Sequence, residues 1–255
     1  MASDQSPATE TAKQPFKANN LKDQLYAVPQ DQIAAFRFDD SVADVFADMV
    51  NRSVPGYGVI IPMIGMLAAQ HVVDQTCVYD LGCSLGAGLL SIHQYAQQKQ
   101  LGLIGVDNSE AMLQRCQVNL QQHQVTAELL QQDVTTLNFK PCSVVVLNFT
   151  LQFLPVSERL SLLTRIKQSL VPGGIVIVSE KIHFAESQQR MTDWYHAFKQ
   201  YNGYSELEVS QKRSALENIL VTDSQQDHFE RFKQAGFEQV DQWFQCLNFV
   251  SFIAS

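Results

Sequence analysis

The stretch Cys77–Leu90 reads C-V-Y-D-L-G-C-S-L-G-A-G-L-L. Val78, Tyr79 and Leu81 read as the end of a buried strand, which Asp80 closes. Gly82, Ser84, Gly86 and Gly88 then make a turn almost free of side-chain bulk, and Ala87 to Tyr95 read as a helix. A strand, a glycine-rich turn and a helix N-terminus together predict a ligand lying against bare backbone N–H groups. The spacing is not the dinucleotide fingerprint G-x-G-x-x-G. It is acidic-x-G-x-G-x-G, with Ser84 at the middle glycine. Many glycine-rich turns are purely structural, so this one needs a second acid.

That acid is Asp107, closing the short apolar run Leu103-Ile-Gly-Val-Asp-Asn108-Ser109 one strand–helix–strand unit further on. A carboxylate at the tip of a second strand is placed to accept two hydrogen bonds from ribose hydroxyls. The same residues also read as a helix cap, because Asp-Asn-Ser before Glu110-Ala-Met-Leu is good capping sequence. The two readings are compatible, with Asp107 at the strand tip and Asn108 or Ser109 as cap.

Outward from this unit the alternation is regular. Val42–Met49 and Ile60–Gln70 read as helices, joined by the turn-rich link 51–58. Tyr57 in that link is either a surface tyrosine or a lid over a ligand. After the first strand come a helix over 89–99, a strand to Asp107 and a helix from Glu110 to Gln122. A third strand, Glu128–Gln132, is followed by Asp133, and a fourth is Val144–Phe149. The helix Glu158–Leu170 stops at Val171-Pro-Gly-Gly174, and Ile175–Ser179 is the fifth strand. This order predicts an α/β, doubly wound, mostly parallel sheet that binds ligands beyond its carboxyl ends. Asp80, Asp107, Asp133 and Asn148 all fall there. Near the end, a helix over 225–235 precedes strands 240–246 and 247–254, so close in sequence that they must be antiparallel.

The chain has 255 residues, enough for one sizeable core. Residues 1–35 are expected to be a disordered tail, on the polar composition of Met1–Asn20, and 36–255 a single domain with a helical insertion at 181–224. The tail lacks the apolar segment of a secretory signal, and no run of about 20 apolar residues predicts a membrane helix. The five cysteines, Cys77, Cys83, Cys116, Cys142 and Cys246, are odd in number and widely spaced. Neither a disulfide framework nor a metal site is expected from them, and a cytoplasmic location is. Cys83 has no sequence neighbour that would activate it as a nucleophile. The net charge of −8, with no basic cluster larger than Lys212-Arg213, argues against gripping nucleic acid directly. Arg213 reads either as a solvated helix charge or as a bidentate clamp for a carboxylate.

A parallel sheet with an antiparallel terminal hairpin and this loop resembles the class I S-adenosyl-L-methionine (SAM)-dependent methyltransferases. Five stretches narrow the resemblance: V-P-G-Y-G at 54–58, Y-D-L-G-C-S-L-G-A at 79–87, D-N-S at 107–109, V-V-L-N-F-T-L-Q-F-L at 145–154 and N-G-Y-S-E-L-E-V-S-Q-K-R-S at 202–214. Together they resemble the bacterial carboxy-S-adenosyl-L-methionine synthase family from about Phe38 to Phe252, and Ser84 agrees with that family. The resemblance implies that Tyr57, Gly82, Cys83 and Ser84 hold the methionine end of the cofactor. It gives the ribose and adenine side to Asp107 and Asn108 and the adenine flank to Asp133 and Val134. Asn148 is implied near the reacting centre, and Arg213 against the added carboxylate. The chain departs from the family at Gln132-Asp-Val-Thr, where Gly-Asp-Ile-Arg is the pattern.

The implied reaction adds a carboxyl group to the methyl of SAM, with prephenate as donor and phenylpyruvate released. Tyr57 and Arg213 are the implied catalytic residues. A methyl on a positive sulfur is a weak carbon acid whose conjugate base, an ylide, traps carbon dioxide. No side chain identifies itself as the base, and hydroxide leaving prephenate is one hypothesis. The resemblance also implies a homodimer and a downstream tRNA carboxymethyltransferase that uses the product at a wobble uridine. Two other readings share the cofactor half of the chain. An ordinary methyltransferase of a small molecule or tRNA would release S-adenosylhomocysteine, and a SAM-binding regulator would bind without turnover.

Overall fold

A computed structural model describes residues 21–255; residues 1–20, the polar part of the expected tail, lie outside the described residues. Helices α1 (Asp40–Ser53) and α2 (Tyr57–His71) meet at 99° and lead into β1 (Thr76–Leu81) and α3 (Ala87–Tyr95). Then follow β2 (Leu101–Asp107), α4 (Glu110–Gln122), β3 (Glu128–Gln131), β4 (Cys142–Asn148), α5 (Val156–Ser169) and β5 (Leu170–His183). The chain closes with α6 (Gln188–Tyr201), α7 (Glu206–Leu216), β6 (Asp223–Ser224), α8 (Gln225–Gln234), β7 (Val240–Cys246) and β8 (Phe249–Ala254). The main sheet runs β3-β2-β1-β4-β5-β8-β7. Its first five strands are parallel, while β8 pairs antiparallel with both β5 and β7. Strand order reverses on either side of β1, so the crevice for a ligand opens beyond its carboxyl end.

Period-2 alternation in apolar strands explains the layers. Val144, Val146, Ile175 and Ile177 face one way, against α2, α3 and α4. Val145, Leu147, Val176 and Val178 face the other, against Leu162 and Ile166 of α5 and Phe232 of α8. Where α2 crosses α3, Ser91 Oγ donates to the Ile61 carbonyl at 2.8 Å. A Cβ on Gly65 would stand 2.6 Å from the Ser91 carbonyl oxygen, so only glycine permits this crossing.

Three expectations need correction. The insertion is not helical throughout: Lys181–His183 extend β5, and Asp223–Ser224 pair with Ile182–His183 as a parallel strand. Residues 171–174 end α5 as expected but then bulge out of β5, between the pairs Cys142–Leu170 and Val144–Ile175. Residues 21–35 are not a free tail. Gln211 of α7 donates to the carbonyls of Tyr26 and Val28 at 3.0 and 2.8 Å and accepts from the Gln30 N–H at 2.7 Å. Asp23 is 1% exposed and accepts from the Tyr204 hydroxyl at 2.6 Å. A polar, Gln-rich sequence read alone hides these partners, because they come from a helix some 180 residues away.

Candidate active site

All ten residues singled out in the sequence line one cavity of about 1040 Å³, shared with Asp80 and walled by Phe36, Phe38, Phe46 and Phe153. Its floor is the turn after β1. A Cβ on Gly82, at φ +75°, would stand 2.5 Å from Thr150 Oγ1, which itself donates to the Leu81 carbonyl at 2.6 Å. Thr150 is held in turn by Glu180, whose carboxylate accepts from the N–H groups of Thr150, Leu151 and Gln152 at 3.1, 2.7 and 3.1 Å. Burial pushes Glu180 up to about 8 despite those three donors. Ser84, where the general pattern has glycine, adopts φ +47°.

Four N–H groups of the turn are not bare. Gly82 and Cys83 both donate to the Val106 carbonyl, at 2.7 and 3.0 Å, and Gly86 donates to Cys83. Ser84 donates to Asp107 Oδ2 at 2.9 Å. These N–H groups tie the turn to β2, so what faces the cavity is bulk-free backbone beside two acids. Such a surface suits a cationic, hydrogen-bond-donating ligand rather than a phosphate. The Cys83 thiol packs against Cys116, which together with burial raises its pKa, so it is no nucleophile.

Asp107 closes β2, and of the two cap candidates Ser109 is the one that caps α4. Asp107 Oδ1 accepts from Ser109 N–H at 2.9 Å while Ser109 caps α4 by accepting from Met112. Burial raises its pKa, against three backbone N–H donors. Those three donors leave about one of the carboxylate's acceptor sites open, toward a ribose hydroxyl. Asp80 is 2% exposed, and burial with Asp107 next in weight pushes it up to about 7. Tyr57 is not in a link: only 54–56 separate the helices, and Tyr57 opens α2. Burial raises its pKa and Asp80 adds to the effect, and the half-buried side chain lines the cavity. Asp133 caps the short turn Val134–Thr136 through Thr135 N–H at 2.8 Å. The Val134 carbonyl accepts from Arg165 at 3.2 Å. Asn148 ends β4 with its Oδ1 buried and without a hydrogen-bond partner among the described residues. A buried orphan acceptor in a cavity asks for a donor from a ligand. The two acids, the bare turn and this acceptor fit SAM, whose amine and ribose hydroxyls are donors and whose sulfonium is positive.

Other residues of the cavity lining carry the opposite charge. Lys181, His196, Lys199, Lys212 and Arg213 line the cavity together with Tyr195. Arg213 is solvent-exposed at the mouth, whereas Lys199 and Lys212 are each only 5% exposed. Burial, then Arg213, lowers Lys181 to about 8. Burial, then Lys212 and Lys181, lowers Lys199 to about 7. Sequence reading found Arg213 but missed the lysines. Lysine is rarely buried, so nothing in the chain marked them except Lys199 falling one helical turn after Tyr195.

Comparison with known proteins agrees with this geometry. Residues 78–174 match the family model described as a methyltransferase domain. Carboxy-S-adenosyl-L-methionine synthase from Actinobacillus pleuropneumoniae serotype 5b (strain L20) is 52% identical over 237 residues, covering 91% of this chain and 98% of that protein. The protein of the same name from Pseudomonas aeruginosa (strain UCBPP-PA14) is 49% identical over 240 residues, covering 91% and 98%. Magnesium protoporphyrin IX methyltransferase from Synechocystis PCC 6803, solved with bound SAH, has a similar fold: TM-score 0.56, 15% identity, 81% of this chain and 85% of that one. The sheet is therefore that of the SAM-dependent methyltransferases, and the chain, an enzyme of the transferase class, belongs to the carboxy-S-adenosyl-L-methionine synthase family.

Proposed function

We propose that the protein converts SAM and prephenate to carboxy-SAM, phenylpyruvate and water. The observation that carries this reading is the lining of one cavity, which joins two acids, a glycine turn and an orphan acceptor to a cluster of cations. An ordinary methyltransferase site has no need of several cations beside the sulfonium, because they would oppose a positive cofactor. A dicarboxylate donor and a carboxylated product both need them. In the balanced reaction prephenate loses its ring carboxyl as carbon dioxide and its ring hydroxyl as hydroxide, leaving aromatic phenylpyruvate. Hydroxide takes one proton from the methyl of SAM, giving water, and the carbon so exposed bonds to the carbon dioxide. Tyr57 shields the reacting carbon from water, and Arg213 pairs with the new carboxylate as it forms. A homodimer, a cytoplasmic location and delivery of the product to a tRNA carboxymethyltransferase complete the proposal.

The test is mass spectrometry of the adenosyl ligand from the purified protein supplied with SAM and prephenate. An ion heavier than SAM by one carbon dioxide is expected, and Arg213→Ala should lose that ion while still retaining SAM. Finding only SAM or S-adenosylhomocysteine would sink the proposal and restore simple methyl transfer.

A further inference from the structure

Two lysines of the cationic cluster, Lys181 and Lys199, have no acidic partner among the described residues. Lys181 Nζ and Lys199 Nζ lie 4.6 and 5.3 Å from the centroid of the Tyr195 ring. Among the described residues, Lys212 is the one of the three lysines with an ion pair, to Asp23 at 3.5 Å. Asp23 is also occupied by the Tyr204 hydroxyl and by Leu25 N–H. Arg52 is paired with Asp48 at 3.0 Å. Lys199, largely buried, and Lys181, half-buried, thus face the cavity without an anion of their own among the described residues. Holding an ammonium in largely buried surroundings with no anion beside it is unfavourable. Evolution-neutral apolar side chains would fill the same place at lower cost, so the pair marks an anion site.

Which anion follows from the chemistry, on the reading that prephenate is the donor. The ring carboxylate of the donor must lose its charge to depart as carbon dioxide. A cation bonded to it would stabilise the starting state and slow that step. The other carboxylate, on the 2-oxo side chain, keeps its charge from substrate to product. We infer that Lys181 and Lys199, packed about the Tyr195 ring, bind the retained 2-oxo carboxylate of the donor, and that Arg213 at the cavity mouth is kept for the transferred one. The subsite is then a specificity element for 2-oxo acids that carry a second carboxylate, and it holds the departing 2-oxo acid product as well.

Phenylpyruvate separates this assignment from its rivals, because it contains only the retained carboxylate. Its binding to SAM-loaded wild type, Lys181→Met and Lys199→Met is measured by calorimetry, together with the KM values for prephenate and SAM. Each variant should weaken both phenylpyruvate binding and the prephenate KM by about tenfold to a hundredfold, the range of a charge-assisted hydrogen bond. The SAM KM should not move. The melting temperature without ligand should hold or rise, since an unpaired buried charge has been removed; a fall in melting temperature in both variants would make the lysines structural and overturn the inference. If prephenate weakens but phenylpyruvate does not, the lysines hold the departing carboxylate and the inference fails. It also fails if wild type does not bind phenylpyruvate. Should wild type form no carboxy-SAM from prephenate yet bind phenylpyruvate through both lysines, the donor is wrong and the 2-oxo acid subsite stands.

Discussion

Asn148 and Asp107 illustrate how a strand end becomes a binding group. Asn148 Oδ1 is buried without a partner among the described residues, so the folded protein without ligand gains nothing from it. Asn148→Ala should leave stability without ligand unchanged or slightly higher while weakening SAM about tenfold, the worth of one hydrogen bond. Thermal melts across a SAM titration check this; equal SAM-induced shifts in variant and wild type would rule it out. Asp107 behaves differently, because its two oxygens already accept from Ser84 and Ser109. Removing the carboxylate with Asp107→Ala should cost about 1–3 kcal/mol of stability as well as SAM affinity, since the turn loses one of its ties to β2. Chemical denaturation of the ligand-free variant measures the first of these effects separately.

At the scale of elements, two contacts decide whether the site keeps its shape. The α2–α3 crossing brings the backbone of Ser91 against Gly65, and it also carries Tyr57 at the start of α2 to the turn after β1. Gly65→Ala would force the helices apart, for an overpacking cost of about 1–3 kcal/mol. Urea midpoints should show that loss, and SAM affinity should fall with it because Tyr57 moves. The second contact is the segment 21–36 across α7. Asp23 neutralises Lys212 and holds Tyr204, both largely buried. Asp23→Ala leaves a buried lysine unpaired, and a loss of about 3–5 kcal/mol is expected from unfolding curves. A loss under 1 kcal/mol would mean that the segment is merely resting on α7.

For the whole molecule, the cluster of cations in the cavity predicts a pH dependence. Lys199 has a folded pKa near 7, held down by burial and by Lys212 and Lys181, with Asp23 opposing. Lys181, Tyr195, Tyr204, His196 and Arg213 complete its surroundings. Its unfolded value is about 10.4. Between these pH values the unfolded chain holds a proton that the native state has released. Stability therefore rises with pH through this window, by at most about 1.4 kcal/mol per pH unit for this group. Below pH 7 both states are protonated and the burial cost is fully present. Lys199→Met should flatten the slope of unfolding free energy between pH 8 and 10 relative to wild type. An unchanged slope would place the lysine in solvent.

The local periodicities settled the architecture in advance. Strict strand–helix alternation from Val78 to Ser179, and a terminal pair of strands too close for a crossover, leave a mostly parallel sheet with an antiparallel edge as the consistent solution. The acids at strand ends were legible for the same reason: a strand's end is set by its own sequence, and the sheet aligns all such ends on one side. Tertiary structure alone decided the rest. It turned the N–H groups of Gly82, Cys83 and Ser84 inward to Val106 and Asp107, made Tyr57 the first residue of a helix, and gave residues 21–35 their partners on α7. It also buried Lys199 and set Lys181 beside the same tyrosine ring. Each of these depends on groups far apart in the chain, whose meeting costs loop-closure entropy and is repaid only when the sheet and its covering helices have formed.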